Sequence, residues 1–178
     1  MRQVKLVLII ASAAFAVFYG VARDHLHHNT SGSLPVVFEW ASATSTVRRG
    51  DLVEVCPPLS VAAMAIDRGY VDRGPCAGGT EPFLKLVAAV SGDSVRIDAH
   101  GVSVNGRLLA NSIAHRVDKH GRALPVQPYG TRIMPRGEVW LYGTDEWSLD
   151  SKQFGPVQVA SIRYRANPLV AAKLPDLR

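Results

Sequence analysis

Short runs in which apolar and polar residues alternate recur along most of this chain, and most of them end at turn-forming residues. The pattern is clearest over residues 94–109, where valines and isoleucines alternate before His100-Gly101 and again before Asn105-Gly106. An Asn-Gly pair between two alternating runs is typical of a tight hairpin. One short helix is indicated at residues 59–67, an alanine-rich run that ends before a glycine. The sequence therefore predicts a mostly β domain with short helices, built on antiparallel pairs.

The same pattern predicts strands elsewhere, and polar segments separate them. A long polar segment at residues 112–130 contains two prolines and is interpreted as an excursion on the surface. Outside residues 94–109, the predicted strands are Val36 to Trp40, Leu52 to Val55, Pro82 to Val90, Glu138 to Tyr142 and Val157 to Arg165.

The longest apolar segment lies near the N-terminus, at Leu6 to Ala22, where 17 residues carry no charge. A helix that crosses a bilayer needs roughly 17 to 25 such residues. A cleaved signal peptide would need a shorter apolar centre and a small-x-small site, for which Ala14-Phe15-Ala16 is a poor candidate because apolar residues continue past it. An uncleaved anchor fits the length and the basic start at Arg2 and Lys5.

We therefore expect four parts: a cytoplasmic tail at 1–5, a transmembrane signal anchor at 6–22, a juxtamembrane linker at 23–28 and one domain at 29–178. The positive-inside rule would place everything after the anchor outside the cytoplasm. A chain of 178 residues has room for one such domain plus an appendage.

Composition argues against two classes of site. The formal net charge is +5, but the basic residues are scattered and form no stripe with aromatic residues, so we expect no nucleic-acid binding. His25, His27 and His28 form a cluster on the expected linker. A tether lacks the surrounding groups that orient metal ligands, so we expect no metal there, and nothing in the sequence calls for a cofactor.

Cys56 and Cys76 are the only cysteines in the chain. Two cysteines without a nearby pair of histidines cannot complete a tetrahedral zinc site. In an oxidising compartment they would form one disulfide that closes a loop of about 20 residues and stabilises the fold by about 3 kcal/mol. Two buried thiols are the alternative.

Ser33 and Lys85 are the candidate residues for nucleophilic chemistry. Ser33 lies in a run of small residues that, taken alone, indicates a flexible linker. Lys85 shares one face of its predicted strand with Phe83 and Val87. Burial among apolar groups lowers a lysine pKa from about 10.4 by several units, and a neutral lysine can then take a proton from a serine. The alternative interpretation of Lys85 is a charge that protects an edge strand from aggregation.

Five short motifs follow one another along the chain: Asn29 to Pro35, Arg49-Gly50-Asp51, Lys85 with Ser91-Gly92-Asp93, Val104-Asn105-Gly106, and Ser148 to Val157. In this order they resemble the boxes of signal peptidase I. Within that family the chain is most similar to the TraF-type peptidases of conjugative plasmids, by its Asn-x-x-x-Ser-x-Pro motif, its cysteine-bounded segment and its small length. General signal peptidases have methionine after the nucleophile and usually arginine after the lysine, where this chain has Leu34 and Leu86.

The resemblance implies a role for each site residue. Ser33 would be the nucleophile, and Lys85 would be its general base and then the acid that protonates the leaving amine. The backbone N–H of Ser33 and the hydroxyl of Ser31 would face the oxyanion. Ser148 would orient the lysine. Asp150 would fix the local geometry. Lys152 would lie opposite it, where many relatives have arginine, so a bidentate ion pair is not available here.

The resemblance also implies a function: a serine endopeptidase anchored in the bacterial inner membrane, with its signal-peptidase-like β domain in the periplasm. Its substrate would be a pilin precursor, released from the acyl-enzyme by hydrolysis or by cyclisation. Apolar runs at residues 36–40 and 125–129 would rest on lipid headgroups. The alternatives are a general signal peptidase I and a non-catalytic periplasmic scaffold of a pilus or secretion complex.

Overall fold

The computed structural model describes residues 2–29, 31–44 and 46–177, and within them it confirms a mostly β fold with antiparallel pairing. The helices are α1 (Arg2–His25), α2 (Leu59–Asp67) and α3 (Ser151–Phe154). The strands are β1 (Leu26–His28), β2 (Val36–Ser42), β3 (Leu52–Val55), β4 (Phe83–Ala89), β5 (Ser94–Asp98), β6 (Gly101–Val104), β7 (Arg107–Leu108), β8 (Gly130–Ile133), β9 (Glu138–Tyr142), β10 (Val157–Gln158) and β11 (Ile162–Ala171).

The strands form two sheets. The larger has seven strands in the order β1-β2-β11-β3-β4-β9-β10, and the smaller has four in the order β7-β6-β5-β8. Three strands of the smaller sheet, β5 to β7, are those predicted at residues 94–109, with β6 and β7 joined by the Asn105-Gly106 turn, where both residues have positive φ. Asparagine and glycine tolerate that conformation better than other residues, which is why this hairpin could be predicted. The fourth strand, β8, pairs with β5 and was not predicted.

Strand β4 lies inside the larger sheet, between β3 and β9, and is buried along its whole length. On one face, Leu86 packs in a core cluster that also contains Val95 of β5 and Val102 of β6. On the other face, Val87 belongs to a second cluster that contains Ala65 of α2. A polar side chain on β4 therefore has apolar surroundings whichever face it takes.

The predicted strand Val157 to Arg165 is wrong in its bounds. It divides into β10 and β11, with a 3-10 turn at Val159–Ser161 between them. Strand β10 pairs with β9, whereas β11 runs on to Ala171 and lies between β2 and β3. The chain crosses from one side of β4 to the other at this turn. The apolar positions change phase at this turn, from Val157 and Val159 to Ile162 and Tyr164, which marks a break in the strand but not the new partners of its second half.

Residues 23–28, expected to form a linker, adopt regular structure instead. Helix α1 continues to His25, whose ring stacks on Trp40 with the ring centroids 5.1 Å apart. Strand β1 pairs with β2, with His27 opposite Glu39 and His28 opposite Phe38. The three histidines therefore have separate partners in the fold, which their spacing along the sequence does not reveal.

Helix α1 exposes apolar side chains, including Phe15 and Phe18. Among residues 2–29, 31–44 and 46–177, no helix combines the length and apolar character of a membrane-crossing segment, so the transmembrane helix expected at residues 6–22 is not shown.

Cys56 and Cys76 form a disulfide, with their Cα atoms 5.5 Å apart. The bond joins the residue after β3 to the loop that precedes β4. It therefore holds the loop at one end of the two central strands.

Candidate active site

A cleft of about 1080 Å³ brings most of the predicted site residues to one surface. Ser31, Ser33, Lys85 and Ser148 all line it, although they come from distant parts of the chain. Asp150 is not part of the lining and is 1% exposed. The structure thus places the nucleophile and base candidates in one cavity, with Asp150 buried outside its lining.

One wall of the cleft comes from the polar excursion at residues 112–130. Asp118 lies within it and is 8% exposed. The Tyr70 hydroxyl donates a hydrogen bond to the Asp118 carboxylate, and Arg122 Nε donates another at 2.6 Å. The Tyr70 bond holds residues 112–130 against the segment that follows α2, and the Arg122 bond fixes Asp118 within its own segment.

Asn29 organises the turn that carries Ser33. Its side-chain amide donates to the carbonyl oxygens of Ser31 at 3.2 Å and Val36 at 2.9 Å. Its Oδ1 accepts from the backbone N–H of Ser31 at 3.1 Å and from the Ser31 hydroxyl at 2.9 Å. On the other side, the Ser33 carbonyl accepts from Asp145 N at 3.3 Å. Asn29 was not among the predicted supporting residues, although asparagine before small residues favours such side-chain-to-backbone turns.

The hydroxyl of Ser31 is engaged in the structure. A serine hydroxyl has one proton to donate, and here that proton goes to Asn29 Oδ1. Ser31 would have to give up this bond before it could donate to an oxyanion. The predicted oxyanion role of Ser31 therefore requires a rotation of its side chain.

Lys85 lies on β4 opposite Val53, inside the larger sheet, and is 2% exposed. Its Nζ is 5.3 Å from the centroid of the Phe83 ring. The pKa of Lys85 is lowered to about 7, chiefly by burial. The Lys152 ammonium also lowers this pKa, whereas the Asp150 and Asp145 carboxylates raise it. Because β4 has neighbours on both sides, Lys85 is not the edge-strand charge of the alternative interpretation.

Ser148 presents a buried polar atom to this environment. Its Oγ is inaccessible to solvent and has no hydrogen-bond partner within the described part of the chain. A buried hydroxyl without a partner destabilises the fold by about 1–3 kcal/mol, so such groups are uncommon. Ser148 lines the same cleft as Lys85 and has a free acceptor for an ammonium proton.

Gly143, the residue after β9, was missed by sequence reasoning. A Cβ at this position would lie 2.0 Å from Ser148 Oγ and 3.0 Å from the carbonyl oxygen of Ser33. Only glycine leaves room for the Ser33 turn and Ser148 to approach the end of β9 this closely. A glycine directly between a predicted strand and the Ser148 motif was the available signal.

The Asp150 carboxylate connects the end of β9 to the start of α3 through hydrogen bonds. Its Oδ1 accepts from Lys152 N at 3.0 Å, and with Gln153 it forms a capping box at the start of α3. Its Oδ2 accepts from Gly143 N at 2.9 Å and from Lys152 Nζ at 3.0 Å. Lys152 Nζ also donates to the Ser148 carbonyl at 2.8 Å. The Lys152 ammonium thus makes one hydrogen bond with the carboxylate and a second with the Ser148 carbonyl, which helps to hold Ser148 in place.

We expect Lys152→Met to lower the free energy of unfolding by about 3–5 kcal/mol, because it leaves the Asp150 carboxylate buried without its counter-charge. Chemical denaturation followed by circular dichroism measures the change. The exposed Lys173 provides the matched control, since Lys173→Met should change stability by only about 0.5 kcal/mol or less. Equal losses in the two variants would contradict the structural role of the pair.

Residues 1–170 match the family model described as "Signal peptidase, peptidase S26". The chain belongs to the S26 signal peptidase family. It is 34% identical over 166 residues to a "Plasmid transfer protein TraF" of Escherichia coli, covering 92% of this chain and 93% of the relative. A second such protein of E. coli is 36% identical over 157 residues, covering 87% and 84% of the two chains. A "Conjugal transfer protein TraF" of Agrobacterium tumefaciens is 39% identical over 121 residues, 67% of each chain.

A crystal structure of a signal peptidase I from Enterococcus faecalis is similar at 16% identity and a TM-score of 0.39, covering 69% of this chain and 98% of that chain. That score is too low to argue a shared fold, so the assignment rests on the sequence matches. Membership of the S26 family implies serine peptidase activity.

Proposed function

We propose that this S26 family member is a serine endopeptidase in which Ser33 is the nucleophile and Lys85 its general base. The observation that carries the proposal is the burial of Lys85 in the wall of the cleft that Ser33 also lines. A solvated lysine is protonated at neutral pH and cannot accept a proton. With the pKa of Lys85 lowered by burial to about 7, a large share of the molecules carry the neutral amine at physiological pH.

In the proposed mechanism, Lys85 Nζ accepts the proton of Ser33 Oγ while Oγ forms a bond to the carbonyl carbon of the scissile peptide. The oxyanion would be held by the backbone N–H of Ser33, a contribution on the order of 10² to 10³ in rate. The C–N bond then breaks, and the Lys85 ammonium returns its proton to the departing amine. The product of this half-reaction is an ester between Ser33 and the acyl part of the substrate.

The surroundings of Lys85 suit this proton cycle. The amine is neutral before attack and becomes an ammonium in the intermediate, so groups that stabilise a positive charge assist the step. The Asp150 and Asp145 carboxylates act in that direction, and the unpartnered Ser148 Oγ can accept a proton of the ammonium. Lys152 acts in the opposite direction and keeps the pKa of Lys85 from rising too far.

We propose a pilin precursor as the substrate. The proposal is supported by relatives named as plasmid and conjugal transfer proteins, which cover most of this chain. The cleft, at about 1080 Å³, lies at the upper limit of the roughly 300–1,000 Å³ of small-molecule pockets and has room for a polypeptide segment. The Ser33 ester can be resolved by water or by a peptide amine, so the same site supports hydrolysis and cyclisation.

We also propose that α1 associates the protein with the inner membrane and that the catalytic domain lies in the periplasm. The exposed apolar side chains of α1 favour contact with lipid, and the Cys56–Cys76 disulfide favours an oxidising compartment. Val37, Phe38 and Tyr129, from the runs expected to meet headgroups, are exposed.

Mass spectrometry of the pilin tests the proposed activity. The precursor is co-expressed with the wild-type protein or with the Ser33→Ala variant. We expect a shortened pilin with the wild type and an unprocessed precursor with the variant. A mature mass lower by one water indicates cyclisation, and the mass of the plain cleavage product indicates hydrolysis. Equal processing in both strains would rule out Ser33 as the nucleophile.

A further inference from the structure

A second group of polar side chains lines the same cleft, and the proposed proton transfer does not use it. It consists of His27 on β1, Glu39 on β2 and Glu54 on β3. Both carboxylates are buried, with Glu39 3% exposed and Glu54 6% exposed. Acidic side chains are seldom this buried unless they are paired.

Strand pairing brings the three groups together. His27 lies opposite Glu39 across the β1–β2 ladder, and its Nδ1 is 2.5 Å from Glu54 Oε1. Strand β11 separates β2 from β3, and there Tyr164 lies opposite Glu54. The Tyr164 ring meets the His27 ring edge to face at 5.8 Å. The cluster thus joins four adjacent strands at one wall of the cleft.

The cluster is incomplete in charge and in hydrogen bonding. Two carboxylates share a single imidazole, and that imidazole is bonded to Glu54. Glu39 Oε2 is buried and has no hydrogen-bond partner within the described residues. The pKa of Glu39 is raised to about 7, mainly by burial and in part by the Glu54 carboxylate, while His27 opposes the rise. An ionised Glu39 therefore destabilises the free protein, and an acid retained at such a position is characteristic of a functional site.

We propose that Glu39 and Glu54 form a subsite for a cationic group of the substrate polypeptide, an ammonium or a guanidinium, bound in the cleft beside the Ser33 site. The inference rests on the proposed peptidase function. An N–H donor of the cation supplies the hydrogen bond that Glu39 Oε2 lacks, and its charge offsets the second carboxylate. Charge-assisted bonds of this kind are about twice as strong as neutral ones. Within the described part of the chain, no group of three or more histidine, cysteine, aspartate or glutamate side chains is placed to hold a metal ion.

The same chemistry has two sources in a polypeptide. The cation could be a lysine or arginine side chain at a fixed distance from the scissile bond. It could also be the free α-ammonium of a chain end, which would then lie near the acyl-enzyme. The experiment separates the two, since only the second depends on an unblocked N-terminus.

Internally quenched peptides with a small-x-small cleavage site provide the probes, used with the full-length protein. One set moves a single lysine through the positions that flank the scissile bond, and a matched set has the neutral norleucine there. A third pair differs only in acetylation of the N-terminus. We expect the cationic member of a pair to be preferred by about tenfold or more in kcat/KM, chiefly through KM.

In Glu39→Gln the preference should fall to about twofold or less, because the amide keeps the shape but removes the charge. Glu138→Gln is the matched control. Glu138, on β9, accepts a hydrogen bond from Gln158 on β10, and neither residue lines the cleft. Removing the Glu138 charge should therefore leave the lysine preference unchanged. A preference that survives in Glu39→Gln, or the absence of any preference in the wild type, would overturn the subsite.

Binding to Ser33→Ala separates this inference from the peptidase proposal. Fluorescence anisotropy of labelled lysine and norleucine peptides reports affinity without cleavage. A lysine preference there that disappears in Ser33→Ala/Glu39→Gln supports the subsite even if no peptide is cleaved. Equal affinities for the two peptides would overturn it even if cleavage is found.

Thermal unfolding shows whether Glu39→Gln is folded and tests the charge argument. The raised pKa of Glu39 means that the folded state prefers the protonated acid. Its contribution to stability therefore falls as pH rises from about 4.5 to about 7. Glutamine has no such dependence, so the variant should gain in Tm over the wild type at pH 8 and gain less at pH 5. His27 and Glu54 are the charged groups that face Glu39, and both are kept in the variant.

Discussion

Replacing Lys85 by methionine should reduce precursor cleavage by at least about 10⁴-fold while the protein remains folded. Removal of one member of a nucleophile–base unit costs about as much as removal of the whole unit, and the residual rate comes from substrate binding and the oxyanion site. Methionine has a volume close to that of the lysine stem and suits the apolar neighbours Phe83 and Val87. Initial rates with a quenched precursor peptide measure the loss.

Although it loses activity, the Lys85→Met variant should be more stable to thermal unfolding than the wild type. The pKa of Lys85 is about 7 in the folded protein, whereas an unfolded lysine has its ordinary value near 10.5. A lowered lysine pKa means that unfolding takes up a proton between these values, so wild-type stability rises with pH across that window. The variant lacks this dependence, and its gain in Tm should be larger at pH 6.5 than at pH 9.5. A variant that is less stable at both pH values would contradict the burial of Lys85 as a destabilising group.

Gly143→Ala should cause the second largest loss of cleavage activity, together with a loss of stability. The added methyl would lie 2.0 Å from Ser148 Oγ and 3.0 Å from the Ser33 carbonyl, so Ser148, the Ser33 turn or the end of β9 must move. A displacement near 1 Å in a catalytic group lowers rate by about 10²-fold, and overpacking lowers stability by about 1–3 kcal/mol. Cleavage rates and denaturant unfolding of the same preparation measure both effects.

Two further variants give Gly143→Ala its controls. Gly20→Ala makes the same chemical change where no atom lies within 4 Å of the new Cβ, so cleavage should be unaffected. Ser148→Gly removes the two nearest atoms that the new methyl would meet. The double variant Gly143→Ala/Ser148→Gly should therefore recover part of the lost stability, a positive coupling between neighbouring sites. Strictly additive losses would show that the methyl acts elsewhere.

Much of the fold could be predicted because its signals are local. The helix at residues 59–67 has the bounds expected from its alanine-rich run, and the Asn105-Gly106 hairpin follows from turn chemistry. The division of residues 157–171 into β10 and β11 could not be predicted in this way. Which strand each half pairs with depends on where β2, β3 and β9 lie, and alternation along one segment carries no information about its partners.

The sequence predicted which residues could carry the chemistry of the site, but not the contacts that hold those residues in place. The neighbours of Lys85 follow from period-two alternation, and the structure places that lysine between Phe83 and Val87 in a buried strand. The hydrogen bonds of Asn29, the space that Gly143 leaves and the second polar group at Glu39 depend on contacts between segments far apart in sequence. In the sequence, Glu39 has the pattern of an ordinary polar residue within a strand. Its neighbour His27 belongs to residues 23–28, which were predicted to be a linker, so nothing in the sequence indicated that the two lie together.

The pH dependence of kcat/KM tests the central claim most directly, since it reports the ionisation of the free enzyme's base. We expect the rate to rise with pH and level off, with an apparent pKa near 7 that belongs to Lys85. Because the Asp150 carboxylate raises the pKa of Lys85, that midpoint should fall in Asp150→Asn, provided circular dichroism shows the variant to be folded. A midpoint near the ordinary lysine value of 10.5, or one that does not move in folded Asp150→Asn, would contradict the account of Lys85 as a buried, neutral base.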